Sequence, residues 1–417
     1  MTPKSVAATA PHRRSCSYTR RLLRYAVASR LFVLTLIIIW RSLVSPYDTS
    51  ASINPPCLTS STDSSNRHGP SVLLPSVGSA IENSIVWDSV YFIRIAECGY
   101  EYEQTYAFLP LLPLCISFLS KTVFAPLEPL VGYRAVLGLS GYILNNIAFV
   151  FASLYLYWLS VFVLKDREVA LRASVLFCFN PASIFYSSIY SESLYAFLSF
   201  GGLYHFMNGT DYFATVWLAL SGCARSNGVL NAGYICYRKM QLVNKAFLSR
   251  KCPYGGGLLK IFRVKQLPNF LLASPILSVA LCSIVYYVKL WPEVFLSLGL
   301  RASLQKELVG SPLSKATEGQ TITDGLLEND SSNLLQGVLS LVGAKLVQAF
   351  FGFISISEFL EQVATRFLSA SPLLYWFASH IMGSPGIGRR WGYLIWAYCG
   401  AYIFLGSLLF SNFYPFT

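Results

Sequence analysis

Asp88 stands next to Trp87 in a polar stretch. The chain then turns apolar through Tyr106-Ala107-Phe108-Leu109-Pro110 and Pro113. A carboxylate at the mouth of a membrane site can act as a general base toward a sugar hydroxyl carried on a lipid. Taken alone, Asp88 reads more often as a helix N-cap, where aspartate is favoured. The neighbouring tryptophan and the aromatic return toward the membrane favour the chemical reading.

Other polar residues interrupt apolar segments. Asn180-Pro181 breaks one, because proline removes a backbone donor and kinks a helix. Glu192, in Tyr190-Ser191-Glu192-Ser193, lies between two apolar runs. A charge at the bilayer centre costs about 2.5–3.5 kcal/mol on insertion scales, so it marks function or pairing. The bland alternative for Glu192 is an interfacial turn in contact with water. Arg225, in Arg225-Ser226-Asn227-Gly228, falls inside an apolar segment and must pair or face a cavity. A lipid phosphate suits its bidentate fork, and the structural alternatives are a salt bridge to Glu192 or a snorkelling arginine. Gln266 and Asn269 precede a later apolar run, and Arg366 opens another.

The elements that must position these residues are membrane helices. The chain has 417 residues, of which 54% are hydrophobic and only 12% charged, which excludes an ordinary soluble domain. With about 20 apolar residues per span, the candidates are 25–44, 106–124, 135–164, 169–190, 191–207, 211–236, 268–290, 334–357, 366–382 and 391–414. The segments 169–190 and 191–207 abut, which suits a broken or re-entrant pair. The expected fold class is an all-α polytopic membrane protein. Residues 1–20 read as disordered, 46–82 as a flexible loop, and 84–100 as a short interfacial helix.

Charge sets the expected orientation. Lys4, Arg13, Arg14, Arg20, Arg21, Arg24 and Arg30 precede or open the first span without an acid, whereas 45–105 holds only Arg67 and Arg94 among seven acids. The positive-inside rule puts the N-terminus in the cytosol and 45–105 on the far side. Six spans then return the chain to the cytosol at the basic stretch 237–267, leaving Asn208-Gly209-Thr210 on the far side as a glycosylation sequon. The net charge of +12 needs no nucleic-acid partner on this reading. The cysteines show no metal-type spacing and read as small packing residues. No glycine loop for nucleotide phosphate is evident.

At these residues the chain resembles the GPI mannosyltransferase 2 family. The matching stretches are Trp87-Asp88, Ala96-Glu97-Cys98-Gly99-Tyr100, Tyr106 to Pro110, and Phe179-Asn180-Pro181-Ala182. They continue with Tyr190 to Leu194, Arg225 to Gly228, Lys265 to Ala273, Thr365-Arg366-Phe367-Leu368, Tyr375-Trp376-Phe377 and Asn412-Phe413-Tyr414-Pro415. The resemblance implies a GT-C-like helical bundle in the endoplasmic reticulum membrane with a luminal first loop. It implies dolichyl-phosphate-mannose as donor and a mannosyl-glucosaminyl phosphatidylinositol as acceptor, joined by an inverting α-1,6 transfer, and it implies neither a metal nor a cofactor. Asp88 is the base on this view. Trp87, Tyr106, Phe108, Glu192, Arg225, Asn227, Gln266, Asn269 and Arg366 bind substrate, and Arg225 or Arg366 stabilises the leaving phosphate. An accessory membrane subunit is a partner this reading allows.

The organisation is then a basic tail 1–24, a first helix 25–44, the loop 45–105, a bundle 106–236, the basic loop 237–267 and a second bundle 268–417. There is one departure from the family. Residues 237–254 run almost directly into Gly256-Gly257-Leu258-Leu259, where the family carries a further span and loop, so some tens of residues are missing. A transporter, or a non-catalytic truncated isoform or scaffold of the same pathway, also accounts for many spans. A transporter favours matched broken repeats, and none is evident.

Overall fold

The computed structural model describes residues 10–47, 57, 72–235, 238, 364–384 and 386–414. Two compact units emerge: 1–228 with 365–417, and 229–364. Almost all described residues belong to the first unit, and the site lies within it. All regular elements among them are helical.

In chain order the helices are α1 (Ala10–Leu43), α2 (Pro75–Asn83), α3 (Asp88–Cys98), α4 (Leu111–Lys121), α5 (Glu128–Val131), α6 (Tyr133–Leu164) and α7 (Arg167–Cys178). They continue as α8 (Ser183–Ser187), α9 (Glu192–Met207), α10 (Asp211–Ala224), α11 (Ala364–Ser369), α12 (Pro372–Gly383) and α13 (Ile387–Ser411). Three of these are long and apolar enough to cross a membrane: Ser17–Leu43, Tyr133–Leu164 and Gly388–Ser411. Other expected spans are built from shorter pieces. The expected spans 268–290 and 334–357 lie outside the described residues.

Several expectations change. Helix α1 starts at Ala10, so 10–20 is helical rather than disordered. Residues 75–83, expected in a flexible loop, form α2, with Pro75 at its start. Helix α3 is not a one-faced interfacial helix. Ser89, Val90, Phe92, Ile93, Arg94, Ile95 and Ala96 are all buried, because α3 packs inside the bundle. The expected span 106–124 does not run straight through. Helix α4 has only 11 residues, and the chain bends by 66° into the segment Ala125–Val131. Leu73 and Leu74 then donate backbone hydrogen bonds to Pro129 and Leu130, so the chain dips and returns beside α2.

This return sets the direction of the next helices. Helix α6 begins near α2, where the Tyr142 hydroxyl donates to the Ser84 carbonyl at 2.8 Å. Tyr155 lies 22 residues into α6, about 33 Å along its axis. There its ring meets those of Tyr204 and Trp217, at 5.9 and 5.1 Å. The turn between α9 and α10 is therefore at the opposite end of the bundle from Asp88. Asn208-Gly209-Thr210 lies in that turn, exposed, and not on Asp88's side as the six-span count required. The count failed because α4 and α5 do not cross.

The Asn180-Pro181 break forms as expected. Helix α7 opens on Asp166, whose carboxylate accepts from the Glu168 and Val169 amides, and stops at Cys178. The break is held from α1. Arg30, 3% exposed, donates to the Cys178 and Ser183 carbonyls and to the Ser183 and Ser187 hydroxyls. Its guanidinium also lies 3.7 Å from the Phe149 ring centroid. Counted in the sequence with the cytosolic charges, Arg30 is instead inside the bundle. Asn145 and Asn146 of α6 donate to the Ser188 and Ser187 carbonyls and fix the same segment from its other side.

Candidate active site

Asp88 is the first residue of α3, and Trp87, not Asp88, occupies the cap position. Trp87 has φ 54, a left-handed conformation rare for a bulky residue, at a cost of about 1–3 kcal/mol. It is held there by its indole N–H, which donates to the Phe410 carbonyl at 3.1 Å, and by the Phe413 ring at 5.7 Å. The Asp88 amide donates to the Tyr190 hydroxyl at 3.1 Å. Asp88 lies one residue inside the helix, past the cap position, so the capping alternative does not describe it.

Three distant charges converge beside this carboxylate. Arg366 Nη1 lies 3.9 Å from Asp88 Oδ2, and Arg366 Nε donates to Glu192 Oε1 at 2.5 Å. Arg225 Nη1 lies 2.5 Å from the same Glu192 oxygen. Glu192 is 1% exposed, which excludes the wet interfacial turn. Arg225 is not mid-helix. It follows α10 with extended backbone, φ −153 and ψ 143, where the helix ends, and this brings its side chain across to Glu192. The pairing of Arg225 with Glu192, the structural alternative in the sequence, is therefore present. Glu192 Oε2 has no hydrogen-bond partner among the described residues, so Glu192 holds both arginines through Oε1 alone.

Arg366 also lies against two aromatic rings. Its guanidinium carbon lies 4.4 Å from the Phe185 ring centroid and 4.9 Å from that of Tyr190. Asp88 itself is open, with its side chain 42% exposed beside these buried partners. Its pKa is raised above the ordinary carboxylate value. Partial burial is the main cause, Glu192 adds to it, and Arg366, Arg225 and the Tyr190 hydroxyl pull it back down.

Phe108 stacks on Tyr91 at 5.1 Å and meets Phe92 edge-on at 5.0 Å, and Phe92 in turn meets Tyr190 at 6.3 Å. Tyr106 is 69% exposed and stacks on Tyr100, so it lines the outer approach rather than the charged cluster. Asn227 sits in the 3-10 turn Ser226–Asn231, two residues after Arg225. Gln266 and Asn269 lie outside the described residues.

Sequence reasoning missed two features. Cys57 and Cys98 form a disulfide that ties the preceding loop to the end of α3. Cys178 and Cys399 are buried as packing residues should be, but Cys223 is exposed. Glu101 lies near the disulfide, in a grouping of metal-type ligands, but both sulfurs are consumed by the bond, so it is not a metal site. Glu101 instead pairs with buried Arg94 at 2.6 Å. The other missed feature is Tyr190, whose hydroxyl no local motif distinguishes from the many other tyrosines.

The family described as Mannosyltransferase (PIG-V) matches residues 19–254 and 250–417, nearly the whole chain. The chain belongs to this family. Among its relatives, human "GPI alpha-1,6-mannosyltransferase 2" is 25% identical, covering 87% of this chain and 84% of its own. "GPI mannosyltransferase 2" of Drosophila pseudoobscura pseudoobscura is 29% identical over 79% and 86%, and that of Schizosaccharomyces pombe is 27% identical over 71% and 65%. No solved structure matches. The human alignment is 445 positions long, more than this chain's 417 residues, so the relative carries positions with no counterpart here. The two matched pieces of the mannosyltransferase family pattern meet at 250–254.

Proposed function

We propose that this mannosyltransferase adds the second mannose of the GPI precursor. Dolichyl-phosphate-mannose is the donor, mannosyl-glucosaminyl phosphatidylinositol the acceptor, and the new bond is α-1,6. The names of the relatives supply the reaction. One observation carries the chemistry. A half-exposed carboxylate, Asp88, stands against a buried cluster of two arginines and one glutamate.

The acceptor 6-hydroxyl attacks the anomeric carbon of the β-linked donor, and the bond to the phosphate oxygen breaks as the new bond forms on the opposite face. Asp88 takes the hydroxyl proton. The donor diester carries one negative charge and leaves as a monoester dianion, while Asp88 passes from anion to acid, so charge balances. The new negative charge appears on the phosphate, where a guanidinium stabilises it most. The donor is already activated by its phosphate, so we propose that the reaction needs neither a nucleotide sugar nor a metal ion. A raised Asp88 pKa suits a base, since proton uptake is easier the closer that pKa lies to the working pH.

We place the site in the lumen of the endoplasmic reticulum and the N-terminus in the cytosol. The end opposite Asp88 carries Lys165, Arg167, Arg172, Arg389 and Arg390, and the N-terminal half of α1 adds Arg20, Arg21 and Arg24. The Asp88 end carries Glu82, Glu97, Glu101, Glu103 and Glu128, against Arg94 and Arg134, which pair with Glu101 and Glu97. That segregation supports the orientation, and a disulfide at the Asp88 end suits an oxidising compartment. The sequon at Asn208 then faces the cytosol and stays unmodified.

Conversion of the one-mannose acceptor by membranes containing the full chain, with dolichyl-phosphate-mannose, tests the reading. Transport without transfer returns the transporter, and pathway rescue that survives loss of Asp88 returns the scaffold. Residues 237–267 lack a segment that the resemblance implies. At matched expression we expect weaker rescue by this chain than by one with the segment restored, and equal rescue would show the segment to be dispensable.

A further inference from the structure

Two arginines could serve the leaving phosphate, and their surroundings separate them. Arg366 is committed. Its Nε donates to Glu192 and its Nη1 faces Asp88. Its guanidinium is also covered by the Phe185 and Tyr190 rings. A cation held by two carboxylates and two rings is fixed in place and has little left to offer an incoming anion.

Arg225 differs on each count. Among the described residues its one ion pair is with Glu192, through Nη1 alone. It stands on the extended residue that ends α10, not on a helix face. Its side chain is 13% exposed, so the site is built within the protein rather than on its surface. The second oxygen of Glu192 is also unbonded. A buried carboxylate oxygen left unsatisfied beside a guanidinium with a single ionic partner is costly and marks an incomplete site. A phosphate oxygen would complete the arginine, and a sugar hydroxyl or water would complete the glutamate.

We propose a division of labour that rests on the mannosyl-transfer reading: Arg225 binds the phosphate of the lipid donor, and Arg366 is a positioning residue that sets Asp88. With Asp88 and Glu192 ionised, the four side chains sum to zero charge, and they gain one positive charge as Asp88 takes the proton. The dianion formed in the same step is met by the cation that is least committed, and that is Arg225.

The groups facing Asp88 are Arg366, Glu192, Arg225 and Tyr190, and among the two arginines Arg366 acts on it more strongly. Two readouts separate the arginines. The first is binding of dolichyl phosphate to the purified full-length chain in nanodiscs, which needs no turnover. Arg225→Gln should weaken it ~10- to 100-fold, the range for losing charged hydrogen bonds. Arg225→Lys should restore part of it, as a point charge without the fork. Arg366→Lys should leave it within about threefold, because ring-stacked Arg366 is not the phosphate ligand.

The second readout is the acid limb of kcat/KM. It should move to higher pH in Arg366→Lys, whose rounder charge sits less well against Asp88, and move less in Arg225→Gln. Weaker phosphate binding in Arg366→Lys than in Arg225→Gln would overturn the assignment, and so would a larger acid-limb shift in Arg225→Gln. Should the wild-type chain bind dolichyl phosphate yet transfer no mannose under any condition, the mannosyl-transfer reading fails, while the binding comparison still decides which arginine holds phosphate.

Discussion

Arg30 and Arg366 are both buried in one bundle, yet their surroundings have little in common. Arg30 is enclosed by neutral acceptors, two carbonyls and three serine hydroxyls, at the place where α7 stops and α8 starts. It supplies a donor to the Cys178 carbonyl, which the break leaves without a helical partner at the negative end of α7. Arg366 is enclosed by carboxylates and rings, one of those carboxylates being open to the outside. A cation among neutral dipoles has no proton to exchange and no charge to follow. A cation between a buried glutamate and an open aspartate changes how readily that aspartate gains a proton. The first arrangement builds the break, and the second uses what the break delivers, since Tyr190 and Glu192 come directly after it.

The largest expected effect tests the charged region. Asp88→Asn should lower mannosyl transfer by ~10²–10⁴-fold, the usual loss of a general base, with normal membrane insertion. The amide keeps the shape and the backbone bond to Tyr190 but cannot take the proton. Transfer within a few-fold of wild type in the in vitro assay would remove Asp88 from the chemistry and leave the cluster as an ordinary buried ion network.

Arg30→Met tests the other side of the comparison. It leaves the Cys178 and Ser183 carbonyls short of a donor, at about 1–3 kcal/mol for each group left unsatisfied. The expected outcome is a lower midpoint of thermal unfolding and less protein in the membrane, with kcat of the surviving protein within a few-fold of wild type. Wild-type stability with a large loss of kcat would erase the distinction between the two arginines.

The sequence carried the class of the fold and the break, and it carried the site residues one at a time. High hydrophobicity with few charges leaves only a membrane bundle, and Asn180-Pro181 dictates a break wherever it stands. What no local pattern holds is convergence. Asp88, Glu192, Arg225 and Arg366 come from four separate segments, and only packing puts them together. Arg30 was misread because an arginine at the edge of an apolar run looks the same whether it flanks the span or lies within it. The α4–α5 return was misread because burial in protein and burial in lipid both require apolar residues, so hydropathy alone does not separate a dip from a crossing. That error displaced Asn208 to the wrong end. The Cys57–Cys98 bond was illegible because it joins a serine- and proline-rich loop to a helix end 41 residues on.

The pH profile sharpens the account of Asp88 itself. Its pKa lies above the ordinary carboxylate value because burial outweighs the nearby arginines. Activity that needs the ionised form is therefore complete at higher pH and falls as pH drops through that raised value. The expected acid limb of kcat/KM lies above the ordinary aspartate range, near 3.9, and it disappears in Asp88→Asn. A limb at or below that range would mean that the arginines dominate over burial.

The smallest expected effect comes from the hydroxyl that joins the two regions. Tyr190 ends the segment Arg30 holds, and its hydroxyl accepts from the Asp88 amide. It also lowers the pKa of Asp88 by a side-chain hydrogen bond. Tyr190→Phe keeps the ring beside Arg366 and Phe410 and removes that one oxygen. The amide it frees is in the first turn of α3, next to a half-exposed side chain, so water can replace the lost acceptor. The net cost is about 1 kcal/mol, roughly fivefold in kcat, with KM for both substrates unchanged. Since the lost bond favoured the ionised aspartate, the acid limb should rise slightly, in the same direction as for Arg366→Lys and by less. A fall in the limb would show that the hydroxyl had been stabilising the protonated acid. An unchanged rate and limb would show that the break positions Glu192 alone and that Asp88 is set entirely from the α3 side, by Trp87 and its contacts with Phe410 and Phe413.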